Sequence, residues 1–163
     1  MITDQDSVTR QTGSGAGIAT VICSAVADNL LRIPFTREGG FIATDISDDG
    51  TDDTLHVTIC GNLDASGIMM QTVEVIWFDT IEKANRFRRS PEGQLFDDPY
   101  GQGQDSFEFS TYAGNPIIPA VIHAILTKHF GHADDQPLIA RTYAEIHYFR
   151  KDPDDIPPKP VAS

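Results

Sequence analysis

Three helical patterns and five alternating patterns of apolar residues follow one another along this chain. Apolar residues recur every three to four positions over residues 18–32, which predicts a helix that Pro34 ends. Two alternating runs, residues 41–46 and 55–60, flank the sequence SDDGTDD, whose Asp-Gly step favours a turn. These two runs predict an antiparallel hairpin. A further alternating run over residues 70–78 predicts a third strand.

The second half of the chain continues with helices and strands in alternation. Asp79 followed three residues later by Glu82 has the spacing of a capping box, which predicts a helix over residues 81–89. Residues 106–112 alternate and predict a strand. Residues 115–131 predict the core helix, because they carry one continuous apolar stripe: Ile118, Val121, Ile122, Ile125 and Leu126. Residues 138–149 fit a strand or a helix, and their aromatic and β-branched content favours the strand.

This order of elements predicts an α+β fold with a mainly antiparallel sheet of about five strands and helices packed on one face. A chain of 163 residues with 40% hydrophobic residues can bury a full core, so we expect a single domain over residues 15–151. Residues 1–14 are polar and residues 152–163 are rich in proline and aspartate. Both segments are therefore predicted to be flexible tails.

The charge of the chain bears on its partners. The 24 acidic and 12 basic residues give a net charge of −12, which repels nucleic-acid phosphates and anionic membranes. A basic protein partner is compatible with this charge, although acidity also serves solubility alone. We expect a cytoplasmic protein, because no run approaches the roughly 18 continuous apolar residues of a membrane span and the first residues contain no apolar leader. Cys23 and Cys60 lie in apolar runs, which favours buried thiols and leaves a disulfide open.

Three histidines near two aspartates have the composition of a transition-metal site: His123, His129 and His132 with Asp134 and Asp135. Helical spacing directs His123 and His129 to different faces, so that only His129 and His132 are near each other. The helix dipole, which favours polar or cationic groups at the C-terminal end of a helix, is sufficient to explain why a histidine occupies position 129. We therefore predict no metal site and no cofactor.

Two short segments resemble known families. The tripeptide His56-Val57-Thr58 resembles the H-x-T motif of 2H phosphoesterases, which implies a second motif that His147 provides without its hydroxyl. Residues 75–98 resemble dimeric α+β barrel proteins of the ethyl-ether-degradation and stress-responsive type, with matches at Phe78, Asp79 and the run S-P-E-G-Q over residues 90–94. The second resemblance implies a cleft between sheet and helices and assigns no catalytic residue. The sequence does not determine the oligomeric state, and a homodimer is compatible with it.

Two functions follow as hypotheses, and the absence of a catalytic motif favours the first. The first is a non-catalytic, acidic protein-binding domain of the inhibitor, immunity or chaperone type, which contacts a basic partner through five aspartates: Asp45, Asp48, Asp49, Asp52 and Asp53. The alternative is a small-molecule enzyme or binding protein with a pocket between sheet and helices. Its candidate catalytic residues are His56, Tyr143, Glu145 and His147.

Overall fold

Six strands and three α-helices make up the part of the chain that the computed structural model describes, which is residues 7–11, 17–36, 40–51, 54–75, 80–97 and 107–146. The strands are β1 (Ser7–Gln11), β2 (Gly40–Ser47), β3 (Leu55–Leu63), β4 (Met69–Val75), β5 (Phe107–Tyr112) and β6 (Leu138–Ile146). The helices are α1 (Gly17–Arg32), α2 (Ile81–Arg89) and α3 (Ile117–Ala124).

All strands belong to one antiparallel sheet with the order β1-β6-β2-β3-β4-β5. The predicted α+β class is confirmed, and the hairpin of β2 and β3 is paired as the alternation indicated. The sheet has one strand more than expected, because residues 7–11, which we assigned to a flexible tail, pair with β6 as β1. Main-chain hydrogen bonds to an open sheet edge form without apolar side chains, so composition alone did not reveal this strand. The rest of both predicted tails lies outside the described residues.

The core lies between one face of the sheet and the helices. Alternate residues of the central strands point into it and are fully buried, as are the inner residues of α1 and the predicted stripe of α3. Phe87 of α2 joins the same core and packs edge to face against Phe107 of β5. The helices therefore cover one face of the sheet, as predicted.

A buried polar cluster fixes the end of α1 against the sheet. The Asn29 amide nitrogen donates to the Ile59 carbonyl at 3.1 Å and to the Thr44 hydroxyl at 3.1 Å. The Asn29 amide oxygen accepts from Gln71 Nε2 at 2.9 Å. Gly61 makes this close approach possible, since a Cβ atom there would lie 2.5 Å from the Asn29 oxygen. The cluster satisfies buried polar groups that would otherwise oppose folding.

Two local details differ from the sequence-based expectations. Thr80 is the N-cap of α2, accepting from the Lys83 backbone, whereas we expected Asp79, which lies outside the described residues. The predicted core helix changes into a π-helix over Ile125–His129 before Gly131 ends it with a positive φ of 75°. The Thr127 hydroxyl donates to the His123 carbonyl in this turn, a competing bond that loosens regular helix.

The exposure of Cys23 differs from the sequence-based prediction. Cys23 is exposed rather than buried, because the sheet contacts only the opposite side of α1, and no disulfide joins it to Cys60. Among the described residues, Gly17–Phe35 is the one helical stretch long and apolar enough to cross a membrane by length and composition. The core helix of a soluble protein meets the same criterion.

Candidate functional site

The sheet face opposite the helices carries a row of acidic side chains. Asp45, Thr58, Glu74 and Glu108 lie directly opposite one another on the consecutive strands β2, β3, β4 and β5. Asp97 extends the row, because it forms an antiparallel bridge with Glu108 beyond the edge of β5. None of the described helices covers this face, which we call the open face. The row thus combines four carboxylates across neighbouring strands.

The electrostatics of this row are unfavourable in the isolated chain. Glu74 and Glu108 are a directly opposed pair of like charges, an arrangement that destabilises antiparallel strands. Partial burial raises the pKa of Glu74, and the nearby charges of Glu108 and Asp45 raise it further. A hydrogen bond from the Cys60 thiol, at 3.9 Å, acts in the opposite direction. Among the described residues, the effects that disfavour the negative charge of Glu74 therefore outweigh the hydrogen bond that favours it.

The other end of the row is better compensated. The Asp45 carboxylate accepts from the Thr58 hydroxyl at 2.9 Å and from the Tyr143 hydroxyl at 3.3 Å. Arg141 lies opposite Asp45 on β6, and its guanidinium stands 5.6 Å from the centre of the Tyr143 ring. The excess of negative charge consequently lies toward β4 and β5.

A second cluster lies where β2 and β3 meet the segment that follows α3. One carboxylate oxygen of Asp48 stands 3.3 Å from His56 Nε2 and 3.2 Å from His132 Nε2. The two imidazole rings meet edge to face, with their centres 4.8 Å apart. Asp48 is exposed, His56 is half-buried and His132 is buried. Two imidazoles and a carboxylate are a donor set suited to transition metals.

Local backbone features bring the two histidines of this cluster together. Ile46 pairs with Val57 but Ser47 pairs with Leu55, so His56 is the extra residue of a β-bulge. A bulge interrupts the alternation of a strand and re-aims a side chain. On the other side, the positive φ of Gly131 turns the chain after the helix, and the His132 backbone N–H donates to the Leu126 carbonyl at 2.9 Å.

Burial dominates the electrostatics of His132. Desolvation lowers the pKa of His132 and the neighbouring His56 lowers it further, whereas Asp48 and Gln136 act in the opposite direction. His132 Nε2 is buried and has no hydrogen-bond partner among the described residues, although an Asp48 carboxylate oxygen lies 3.2 Å away. Such an atom costs free energy unless something else satisfies it.

The acidic loop that we proposed as a partner-binding segment is divided between different roles. Asp45 lies in β2 on the open face, and Asp48 belongs to the histidine cluster. Asp49 accepts hydrogen bonds from residues of its own turn. The bond from the Thr51 hydroxyl, and next that from the Thr54 hydroxyl, lower the pKa of Asp49 to about 2. Asp52 and Asp53 lie outside the described residues.

The structure describes the side-chain contacts of two of the four candidate catalytic residues, and these two lie in different clusters. His56 contacts Asp48 and His132, whereas Tyr143 contacts Asp45 on the open face. Glu145 lies opposite Phe41 in the strand ladder, and His147 lies outside the described residues. The pocket between sheet and helices that we predicted for these residues consequently stays a prediction.

The remaining histidines have partners of their own. His129 Nε2 stands 2.9 Å from a Glu92 carboxylate oxygen, and the hydrogen bond with His129 lowers the pKa of Glu92. Lys128 contacts the other oxygen of Glu92 at 3.0 Å. His129 thus has a specific side-chain partner besides the helix dipole that we first invoked. His123 lies 3.5 Å from Asp134 at the surface.

Comparisons with protein-family models, with curated proteins and with solved structures found no match to this chain. The resemblances over residues 56–58 and 75–98 consequently stay predictions.

Proposed function

We propose that this protein is a binding domain whose open face recognises a cationic protein segment. The observation that carries the proposal is the row of four carboxylates, Asp45, Glu74, Glu108 and Asp97, on a sheet face that none of the described helices covers. The partner-binding role that we first assigned to the acidic loop is thereby moved to the sheet. An inhibitor, immunity protein or chaperone would use such a surface against a basic partner.

The electrostatics of the row favour a cationic partner over a purely solvating role. Like charges directly opposite each other on adjacent strands cost roughly 0.2–1 kcal/mol relative to neutral pairs. Lysine or arginine side chains placed between Glu74 and Glu108 would replace this repulsion with attraction. The net charge of −12 would in addition accelerate the encounter with a basic surface.

The dimensions of the row specify the partner further. Adjacent strands lie about 4.8 Å apart, so the four steps from Asp45 to Asp97 span roughly 19 Å. A helix with one basic residue per turn of about 5.4 Å comes close to the spacing of adjacent carboxylates, and an extended segment with four basic residues on alternate positions matches the length of the row. Arginine suits the row better than lysine, because its fork of donors binds a carboxylate with two hydrogen bonds.

Charge-matched variants test the proposal. The double variant Glu74→Gln and Glu108→Gln removes two charges from the centre of the row. The control Glu82→Gln with Asp134→Asn removes two charges from exposed positions away from the open face. Each protein is titrated with two arginine-rich peptides, one helical and one extended, at low and at high salt. Capture of basic proteins from the native lysate is measured under the same two conditions.

We expect the parent and the control to bind with similar affinity and the row variant to bind at least tenfold more weakly, with the difference shrinking at high salt. Equal binding by the row variant and the control would mean that only total charge matters and would refute a site on the open face. A parent that binds no peptide, and that captures no stoichiometric partner at either salt, would refute the function itself.

A further inference from the structure

The cluster of Asp48, His56 and His132 has three properties that hydrogen bonding among its members does not explain. The first is the buried His132 Nε2 atom, which has no hydrogen-bond partner among the described residues and is directed at the other two side chains. The His132 side chain is only 6% exposed, so solvent does not readily supply the missing partner. A group that ligates this nitrogen would remove the cost of leaving it unsatisfied.

The second property is the spacing of the donor atoms. Ligands held at 2.0–2.2 Å around a tetrahedral metal ion are about 3.4 Å from one another. The Asp48 oxygen lies 3.3 Å from His56 Nε2 and 3.2 Å from His132 Nε2, which are close to this separation. All three donor atoms lie within 4.8 Å of one another, so ligation has only to draw the two imidazoles together.

The third property is the support around the cluster. Gln136 Nε2 lies 3.5 Å from the same Asp48 oxygen, and the Gln136 side chain also interacts with His132. The Phe130 ring stands 4.4 Å from the His56 ring and forms an apolar wall beside it. Residues that orient ligands and shield them from water are typical of metal sites. The β-bulge that turns His56 toward His132 belongs to the same support.

We propose that Asp48, His56 and His132 bind a divalent first-row transition-metal ion. Zn²⁺ is the representative ion, because it binds both imidazole and carboxylate ligands. Three protein ligands leave at least one coordination position of the ion open. This position faces the surface, because Asp48 is the most exposed of the three residues. The site joins β2, β3 and the segment after α3, and it is independent of the open face.

The test uses the full chain without an affinity tag, stripped with EDTA and titrated with Zn²⁺ by calorimetry and with Co²⁺ by absorption spectroscopy. Asp48→Asn and His56→Asn change ligands that are not fully buried, so these variants are suited to remain folded. The matched controls are Asp134→Asn and His123→Asn, which alter a histidine–aspartate pair outside the cluster. Circular dichroism verifies that each variant is folded.

We expect the parent and both controls to bind one equivalent of Zn²⁺, with a Co²⁺ spectrum of low coordination number and a raised melting temperature. Each ligand variant should weaken binding at least 100-fold, and Gln136→Ala should weaken it about 10- to 100-fold. The double variant Glu74→Gln and Glu108→Gln should bind Zn²⁺ like the parent, which separates this site from the open face.

Three outcomes would overturn the metal site. The first is the absence of saturable binding by the parent. The second is unchanged affinity in both Asp48→Asn and His56→Asn, which would place the ion elsewhere on the chain. The third is an equal loss of Zn²⁺ affinity in the controls Asp134→Asn and His123→Asn. Such a loss would mean that binding depends only on surface histidines and net charge.

Discussion

The substitution Asn29→Ala probes how the buried polar cluster holds α1 on the sheet. Asn29 is fully buried, and its side chain makes four hydrogen bonds. Three of these are donated to the Ile42 and Ile59 carbonyls and the Thr44 hydroxyl, and one is accepted from Gln71. Alanine removes all four and leaves a small cavity beside Gly61.

The partners of Asn29 keep other interactions in the variant, which limits the size of the effect. Thr44 still bonds to Thr142 at 2.8 Å, and Gln71 Nε2 still donates to the Val26 carbonyl at 3.3 Å. The Ile42 and Ile59 carbonyls lie in the paired strands β2 and β3, so the cost comes from the loss of the four hydrogen bonds of Asn29, at about 0.5–1.5 kcal/mol net for each. Together with the cavity, Asn29→Ala should lower the free energy of unfolding by about 2–5 kcal/mol. This is a large share of the roughly 5–15 kcal/mol of a typical domain.

Urea denaturation followed by circular dichroism measures this effect. Asn62→Ala is the matched control, because Asn62 lies near the end of β3 and, among the described residues, its side chain donates only to the carbonyl of its neighbour Leu63. The control should change the free energy of unfolding by less than about 0.5 kcal/mol. If Asn29→Ala unfolds at the same urea concentration as the parent and the control, the cluster does not anchor α1 and the reasoning is wrong.

Two further predictions concern the open face and the core. Glu74→Gln should stabilise the protein by about 0.2–1 kcal/mol at neutral pH, because it removes the repulsion from Glu108. Since the pKa of Glu74 is raised above its ordinary 4.5 in the folded state, its charge costs stability as the pH rises through that raised pKa. The gain of the variant should therefore vanish below 4.5 in urea melts at several pH values, and a variant less stable than the parent at neutral pH would contradict this sign. Ile122→Ala should lower the free energy of unfolding by about 2–5 kcal/mol. Lys128→Ala, which removes an exposed ammonium group, should change it by less than about 0.5–1 kcal/mol. Equal denaturation midpoints for the two variants would mean that α3 is peripheral.

Local patterns were sufficient for most of the regular elements, because each of them encodes its own periodicity. The apolar spacing over residues 18–32 and the alternation on either side of the Asp-Gly turn correspond to α1 and to the hairpin of β2 and β3. The stripe that ends at Leu126 is fully buried, as its helical spacing indicated. A helix or a strand with one buried face must repeat apolar residues at its own period, and that repeat can be read from the sequence.

Other features depend on partners that are distant along the chain. Residues 7–11 have no apolar alternation of the usual kind and form a strand only because the edge of β6 is available. The change from α-helix to π-helix at Ile125 leaves the apolar stripe intact, so the spacing of apolar residues did not predict it. In both cases the structure depends on main-chain and side-chain hydrogen bonds, which the amino-acid composition does not reveal.

The two candidate sites are the clearest case of what only the tertiary structure decided. Alternation indicated that Glu74 points away from the core, but the strand order and the register place it between Glu108 and the Asp45 side of the sheet. Sequence spacing grouped His132 with His129, whereas a bulge at His56 and the turn at Gly131 direct His132 to a partner 76 positions away. Periodicity determines which face a side chain occupies, and the pairing of distant segments determines which side chains meet there.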